Sequence, residues 1–406
     1  MKERLCMKFF HTADWHLGKL VQGVYMTEDQ RYVLQQFIEA IEEEKPDAVV
    51  IAGDLYDRGV PPTEAVNLLD EVLETIVIKL KTPVLAVSGN HDSPTRLHFG
   101  STIMKANGYH IVGQLSQTIE PVILRDEFGE VHFYLVPYTD PSVVRHVFAD
   151  DEIHSHNDAM RKITETIENN MKPDVRHVFV GHAFVTPHGE EQENTSDSER
   201  PLAIGGSEYV DAHLFKNFHY TALGHLHQAH FVLDEKIRYS GSLLKYSISE
   251  ENHKKGFYIV EMDGNGQVTI EKKLLKPIRD MRTVEAKMDD LLKHPINEDY
   301  VFVRLLDETP VLSPMEKVRS VYPNAMHVER KIILPTDSQS AKTDRVARHQ
   351  MDDLSLFRAF YQEVKGIEVT EETESLFKEV LHEILQENQE ELKRTAKEVA
   401  ASKSID

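Results

Sequence analysis

The sequence predicts an α/β protein with more than one domain, and three observations lead there. The N-terminal half alternates short apolar runs with stretches whose apolar residues recur at helical spacing. Several of the apolar runs end in glycine followed by a polar residue, which is typical of a ligand site at the carboxyl edge of a sheet. A chain of 406 residues is also too long for one ordinary core, so two or three domains are expected.

The first elements predict strand-helix units. Met7 to Ala13 is an apolar run and predicts a buried strand. Asp29 to Glu43 carries apolar residues at helical spacing, and Pro46 ends the predicted helix. Ala48 to Ala52 has no polar alternation, as expected for a parallel strand that is covered on both faces. A second helix and a third strand, Pro83 to Val87, complete the pattern.

Further strands and one helix are predicted in the following 180 residues. The helix lies near Asp158 to Asn170. The best-defined strands are His177 to Val180, Tyr220 to Leu223, Ser240 to Leu244 and Gly256 to Glu261. Between them, residues 186–201 are polar and acidic, which predicts a mobile surface loop beside the site.

Changes in composition divide the chain into four segments. Residues 1–276 form the predicted main domain, and residues 277–335 read as a small separate α/β domain. Residues 336–350 are polar without an apolar period, which predicts a linker. Residues 351–406 carry two amphipathic helical patterns, whose apolar stripes require either the protein's own core or a partner chain. The pattern alone favours packing on the protein's own core.

Composition excludes several classes of site and location. Cys6 is the only cysteine, so an intramolecular disulfide framework and a multi-thiolate metal site are excluded. The formal net charge of −22 argues against a nucleic-acid binder held by a broad basic surface. No apolar run approaches membrane-spanning length, and the N-terminus lacks a signal-peptide pattern. We therefore expect a cytoplasmic protein.

Candidate metal ligands follow the predicted strands. His225 and His227 come directly after Gly224, and alternate residues of an extended chain point to the same side. For this pair alone, a surface loop is an equally good interpretation. The same arrangement recurs after the other strands, and chance does not readily produce five such motifs in order. The collected strand-end residues are Asp14, His16, Asp54, Asn90, His91, His182, His225 and His227.

These residue types predict a centre with two metal ions. If Asp54 bridges the ions, one site is completed by Asp14, His16 and His227, and the other by Asn90, His182 and His225. Imidazole and oxygen ligands without sulfur suit manganese, iron or zinc better than magnesium alone. Two such ions activate a water as nucleophile and neutralise charge on a phosphate ester, which also makes the pocket cationic in an acidic chain.

The two residues after Asn90 have predicted supporting roles. His91 is left over as the proton donor or charge stabiliser. Asp92 is expected to orient the His91 imidazole, as a carboxylate often does. A loop or helix cap is the alternative role for Asp92.

The motifs resemble those of the calcineurin-like metallophosphoesterase superfamily, over about the first 230 residues. They are Asp14-x-His16, Gly53-Asp54, Gly89-Asn90-His91-Asp92, Gly181-His182 and Gly224-His225-x-His227. Their fuller forms resemble the branch of DNA-repair nuclease subunits that work with an SbcC-type ATPase. Asp57 departs from archaeal and eukaryotic relatives, which have a histidine there, so that histidine's substrate-positioning role is not assigned to Asp57.

The resemblance implies both an activity and an assembly. It implies a β-sandwich flanked by helices, two Mn²⁺ ions, and 3′-to-5′ double-strand exonuclease and single-strand endonuclease activity on DNA ends and hairpins in repair and recombination. It implies that residues 277–335 are a capping domain and that 351–406 dock on the coiled-coil base of the ATPase, within a heterotetramer that contains a homodimer of this chain. The alternatives are a stand-alone phosphodiesterase or phosphatase on the same fold, and a non-catalytic scaffold.

Overall fold

The structure is a computed structural model, and it describes residues 6–189, 197, 199, 208–331, 353–365 and 367–381. The predicted linker at 336–350 and the end of the predicted tail lie outside these residues. The chain divides into two compact units. The first contains residues 1–285, 289–303 and 313–328, and the second contains 286–288, 304–312 and 329–406. The predicted boundaries at 276 and 335 stay predictions.

Strands and helices have the following bounds. The strands are Met7–Thr12 (β1), Leu20–Val21 (β2), Val24–Tyr25 (β3), Ala48–Ala52 (β4), Val84–Val87 (β5), Tyr109–Val112 (β6), Val122–Asp126 (β7), Gly129–Val136 (β8), Arg176–His182 (β9), Phe184–Thr186 (β10), Tyr209–Asp211 (β11), Tyr220–Gly224 (β12), His230–Val232 (β13), Asp234–Tyr239 (β14), Gly256–Met262 (β15), Val268–Leu274 (β16), Met281–Ala286 (β17), Tyr300–Leu305 (β18) and His327–Arg330 (β19). The helices are Thr27–Glu44 (α1), Thr63–Leu73 (α2), Pro94–His98 (α3), Ser101–Lys105 (α4), Pro141–Phe148 (α5), His156–Glu168 (α6), Met288–Leu291 (α7), Pro314–Arg319 (α8) and Asp353–Lys365 (α9).

Two six-stranded sheets pack face to face in the first unit. Their strand orders are β16-β15-β1-β4-β5-β6 and β13-β14-β12-β9-β8-β7. Phe9 of the first sheet contacts Phe133 and Tyr220 of the second edge-to-face, with ring centroids 5.4 and 5.5 Å apart. Separate apolar clusters cover the two outer faces, one with α1 and α2 and the other with α5 and α6. The predicted sandwich flanked by helices is therefore confirmed.

One predicted strand is wrong. Residues 240–244 form a buried loop, and the strand of this region is β14, which ends at Tyr239. The Ser242 amide donates to the carbonyl of His227 at 3.3 Å, and the Ser242 hydroxyl donates to the carbonyl of Leu244 at 2.8 Å. Burial of a loop makes it apolar, and the apolar run therefore imitates a strand.

The carboxyl ends of the central strands of both sheets meet at one edge of the sandwich. A Cβ atom on Gly224 at the end of β12 would lie 1.9 Å from the Ala52 carbonyl oxygen at the end of β4. Only glycine permits this approach, because any side chain would collide with the backbone of the opposite sheet. The loops that follow the strands are thereby brought together.

Residues after 276 form a smaller sheet and a helical hairpin. The sheet has the order β17-β18-β19. In the second unit, α9 precedes a helical stretch at 371–381. The rings of Phe357 and Phe377 stack with centroids 3.9 Å apart, and Arg358 forms an ion pair with Glu374 at 2.6 Å. Among the described residues, no helix has the length and apolar character needed to cross a membrane.

Candidate metal centre

Four of the predicted site residues have left-handed backbone conformations. The φ angles are 54° for Asp14, 46° for His16, 52° for Asp54 and 113° for His225. Such conformations cost on the order of 1–3 kcal/mol each and persist only where the surroundings enforce them. Here the Asp14 amide donates to the Gly53 carbonyl at 3.1 Å, and the His16 amide donates to the Asp54 carbonyl at 3.0 Å. The loops after β1 and β4 therefore hold each other in strained positions.

Asp14, His16 and His227 form the first group of candidate ligands. Their ligand atoms lie within 4.8 Å of one another, and all three residues are buried. The Nε2 atoms of His16 and His227 are 3.0 Å apart. Two nitrogen atoms bound to one ion at about 2.1 Å and at a right angle are about 3 Å apart. The separation therefore fits two ligands of one ion.

Asp54, Asn90 and His182 meet on the other side of the centre. His182 Nε2 lies 2.8 Å from Asn90 Oδ1 and 3.5 Å from Asp54 Oδ2. The same Asp54 oxygen lies 3.6 Å from His16 Nε2. Asp54 is thus placed between the two groups, where a bridging carboxylate would have to lie.

The tautomer of His182 tests whether this set fits a metal. Its Nδ1 lies 3.0 Å from the Ala52 carbonyl oxygen, which can only accept, so Nδ1 carries the proton. Burial lowers the pKa of His182 to about 4, so the ring is neutral at pH 7. The Nε2 lone pair then faces the oxygens of Asn90 and Asp54. Electron pairs converge in this way where a cation is to be held, and the residues therefore fit a metal.

His225 lies beside His182. The centroids of their rings are 5.4 Å apart, and the His225 ring also contacts Phe184. Its backbone amide donates to the two carboxylate oxygens of Asp14 at 3.0 and 3.2 Å. His227 lies with His16, and His225 lies with His182. The predicted division of the two histidines between two ions stays a prediction that this placement supports.

The predicted role of Asp92 as the residue that orients the His91 ring requires correction. The Asp92 carboxylate accepts from the backbone amides of Leu55, Tyr56 and Gly89 at 2.9 to 3.1 Å. His91 Nδ1 instead lies 2.8 Å from a different acceptor, the backbone carbonyl of Asp57. The loop alternative for Asp92 applies, because three amides saturate its oxygens.

Asp57 carries a second set of contacts in the centre. Its carboxylate forms an ion pair with Lys19 at 2.8 Å and lies 3.6 Å from His16 Nδ1. Its backbone carbonyl leaves His91 Nε2 unencumbered, because Nδ1 uses the proton of the ring. The ring of His91 stands at 85° to that of His16, with centroids 4.6 Å apart.

Burial displaces the proton affinities of the centre in the direction that favours cation binding. Burial raises the pKa of Asp54 to about 6, against opposing effects led by His91. Burial and the neighbouring Asp54 raise the pKa of Asp14 well above its usual range and that of Asp92 to about 8. Burial also lowers the pKa of His16 well below its usual range. Neutral imidazoles and crowded carboxylates are the states that a divalent ion requires and relieves.

Comparison with known proteins gives the family. Residues 7–229 match the family described as calcineurin-like phosphoesterase, and residues 277–365 match the type 5 capsule protein repressor C-terminal domain. The chain is 34% identical to the SbcD subunit of the SbcCD nuclease of Staphylococcus epidermidis over 383 residues, which cover 93% of this chain and 99% of that protein. The chain belongs to the SbcD family of calcineurin-like phosphoesterases. It is therefore a metal-dependent phosphodiesterase of the nuclease type.

Solved structures similar to this SbcD-family chain are more distant. One is a Thermus thermophilus protein, with 11% identity, a TM-score of 0.39, and coverage of 67% of this chain and 100% of that chain. Another is a dimetal phosphatase from Danio rerio, with 10% identity, a TM-score of 0.37, and coverage of 66% and 96%. At these TM-scores, neither carries an argument about this chain.

Three acidic and basic side chains of the SbcD-family centre escaped the sequence analysis. Glu250 accepts from Lys255 at 2.5 Å and lies 3.0 Å from His227 Nδ1. Glu199, from the predicted acidic loop, accepts from the His227 amide at 2.5 Å. Most of that loop, 190–196, 198 and 200–207, lies outside the described residues, so its predicted mobility stays a prediction. None of the three residues ends an apolar strand, and the sequence carries no other signal for them.

Proposed function

We propose that this SbcD-family chain is a manganese-dependent DNA nuclease that degrades duplex ends from 3′ to 5′ and cuts single strands internally, as a cytoplasmic subunit of a DNA-repair complex. The observation that carries the proposal is the convergence of unprotonated nitrogen and oxygen atoms on the two sides of Asp54. The proposed metal ligands are Asp14, His16, Asp54, Asn90, His182, His225 and His227.

The donor set supports manganese without fixing it. Imidazole, carboxylate and amide oxygen donors suit manganese, iron or zinc. Bound there, two such ions would supply an activated water and neutralise charge that develops on the phosphate. The chain's own contribution is to hold the donors in place, since the interlocked loops after β1 and β4 fix Asp14, His16 and Asp54.

His91 is the proposed proton donor or charge stabiliser. Its amide donates to Asp54 Oδ1 at 2.9 Å, which places it at the centre. Its Nδ1 donates to the Asp57 carbonyl at 2.8 Å, so Nε2 is the atom left to act on substrate. In the protonated ring, Nε2 can donate to the oxygen of the leaving group or stabilise its charge. Proton release from Nε2 leaves the Nδ1 hydrogen bond in place, so the ring keeps its orientation.

The helical hairpin of the second unit supports a protein partner. Stacking of Phe357 on Phe377 holds its two helices together. Phe360 is nevertheless 61% exposed and Leu376 63% exposed. An exposed apolar surface of this kind marks a protein contact. We assign this surface to the coiled-coil base of an SbcC-type ATPase, which is the partner type that the name of the Staphylococcus epidermidis relative implies.

A second apolar surface supports association of two copies of the chain. In the first unit, Phe99 is 81% exposed and Ile103 76% exposed, beside a groove of 460 Å³ lined by Val66, Leu73 and Met104. Two copies related by a twofold axis can each offer Phe99 to the other's groove. We therefore place the homodimer of the proposed heterotetramer at this surface.

A cleavage assay tests the proposal. Purified protein with Mn²⁺ is given 3′-labelled duplex DNA, single-stranded circles and a small phosphodiester, each with and without the ATPase and ATP. We expect Mn²⁺-dependent degradation of the duplex and nicking of the circles. Cleavage of the small ester alone, unaffected by the ATPase, would instead support the stand-alone phosphodiesterase. A metal series with Mg²⁺, Zn²⁺ and Fe²⁺ controls for the ion.

A further inference from the structure

We propose that Glu250, held by Lys255, is a positioning residue that fixes the His227 ring for metal binding. The inference rests on the proposed function in one respect, since it requires His227 to be a ligand. Nothing in the motifs of the centre includes Glu250 or Lys255, which lie 23 and 28 residues beyond His227 in the chain.

The contacts form a closed set around His227. Glu250 Oε1 lies 3.0 Å from His227 Nδ1, and its other oxygen accepts from Lys255 Nζ at 2.5 Å. Lys255 Nζ also donates to the His227 carbonyl at 2.9 Å and lies 2.8 Å from Ser242 Oγ. Lys255 thus holds both the carboxylate that meets the ring and the backbone that carries it.

The hydrogen bond to Glu250 determines which nitrogen of His227 is available. An ionised carboxylate can only accept, so His227 Nδ1 must carry the proton. The lone pair then resides on Nε2, which lies 3.0 Å from His16 Nε2 in the first ligand group. A carboxylate in this position also raises the basicity of a metal-binding imidazole.

Burial shows that the pair is not an incidental surface ion pair. Glu250 is fully buried, and Lys255 is 8% exposed. Removing two charges from water costs several kcal/mol per ion before their attraction is counted, and an apolar pair of similar volume is often as stable. A stability role alone does not call for charges here, whereas an acceptor facing His227 does.

Binding of Mn²⁺ is the test, followed by electron paramagnetic resonance of the free ion. The variants are Glu250→Ala, Glu250→Gln and His227→Gln. We expect Glu250→Ala to weaken one of the two ions by about 10- to 100-fold and to leave the other unchanged. Glu250→Gln keeps an oxygen acceptor and should recover part of the affinity. Thermal unfolding of each metal-free protein separates lost affinity from lost stability.

Glu130→Ala is the matched control. Glu130 Oε2 lies 2.8 Å from His132 Nε2, which makes it a carboxylate-histidine pair outside the proposed ligand set. We expect this variant to bind both ions with wild-type affinity.

The outcomes distinguish the two proposals. If His227→Gln binds both ions normally, His227 is not a ligand and the proposed centre is wrong. If His227→Gln loses an ion but both Glu250 variants bind like wild type, the positioning role alone is wrong.

A second variant covers failure to fold. Glu250→Leu combined with Lys255→Met removes both charges and the acceptor, and it should fold and still lose affinity for one ion. Wild-type affinity in that double variant would overturn the positioning role. Failure of all the Glu250 variants to fold in excess Mn²⁺ would show a purely structural residue and would overturn it equally.

Discussion

The metal centre of the first unit and the helical hairpin of the second depart from the usual distribution of residues in opposite directions. At the centre, Asp14 and Asp54 are buried with at most 2% of their surface exposed. In the hairpin, Phe360 and Leu376 are more than 60% exposed. Buried carboxylates require a cation, and exposed aromatic and aliphatic side chains require another protein surface. Each region is therefore built for a component that lies outside the chain.

The largest expected effect is at the centre, from Asp54→Asn. The change keeps the size of the side chain but removes the charge that lies between the two ligand groups. Metal stabilisation is worth several kcal/mol, so we expect DNA cleavage to fall by about 10³-fold or more. Rates and Mn²⁺ stoichiometry are measured together, with the exposed Asp234→Asn as control. Wild-type rate and two bound ions would remove Asp54 from the centre.

His91→Ala should separate chemistry from metal binding. We expect about 10²- to 10⁴-fold slower cleavage with unchanged Mn²⁺ binding, because a lost proton donor costs that much and the proposed ligands remain. The exposed His154→Ala is the control. Cleavage at the normal rate would contradict the role given to His91.

Phe360→Asp tests the other side of the comparison. A charge in an apolar contact should weaken association with the ATPase by about 30-fold or more, the effect of losing roughly 2 kcal/mol at a central interface residue. Hydrolysis of a small phosphodiester should be unchanged. Gln362→Glu, on the same helix, is the control for charge. Deletion of residues 351–406 should abolish association, and a complex that survives the deletion would show that the ATPase docks elsewhere.

Gly224→Ala probes how tightly the edge of the sandwich is packed. The new Cβ would lie 1.9 Å from the Ala52 carbonyl oxygen, so the sheets must shift. We expect a loss of about 1–3 kcal/mol in the free energy of unfolding, measured with urea. Gly59→Ala is the control, since its Cβ would meet Ser93 at an ordinary 3.5 Å. Equal stability of the two variants would mean that the edge is loosely packed.

The smallest effect concerns the ion pair of the hairpin. Hydrogen bonds from Arg358 and Lys378 lower the pKa of Glu374 to about 2. Its contribution to hairpin stability is therefore present above its ordinary pKa of about 4.5 and is lost as the pH falls towards 2. Amide hydrogen exchange of residues 371–381, compared between wild type and Glu374→Gln at each pH, should show a small difference that disappears at low pH. A difference that does not depend on pH would exclude this ion pair as its source.

The parts predicted from the sequence are those in which local pattern and tertiary position coincide. β4 has the predicted bounds Ala48–Ala52, because a strand covered on both faces is apolar throughout. Asp14, Asp54 and Asn90 were grouped because the carboxyl ends of parallel strands lie at one edge. The buried loop at 240–244 defeated the same reasoning, since burial rather than extended structure made it apolar.

The sequence by itself determined the sandwich class, the metal-binding residue types and the family, because these depend on the order of short motifs along the chain. Only the tertiary structure decided what surrounds them. The Asp57 carbonyl, rather than Asp92, holds His91, and Glu250 meets His227 from a loop without a motif. Contacts of this kind depend on where loops return after distant strands pack, and no spacing in the sequence records that path.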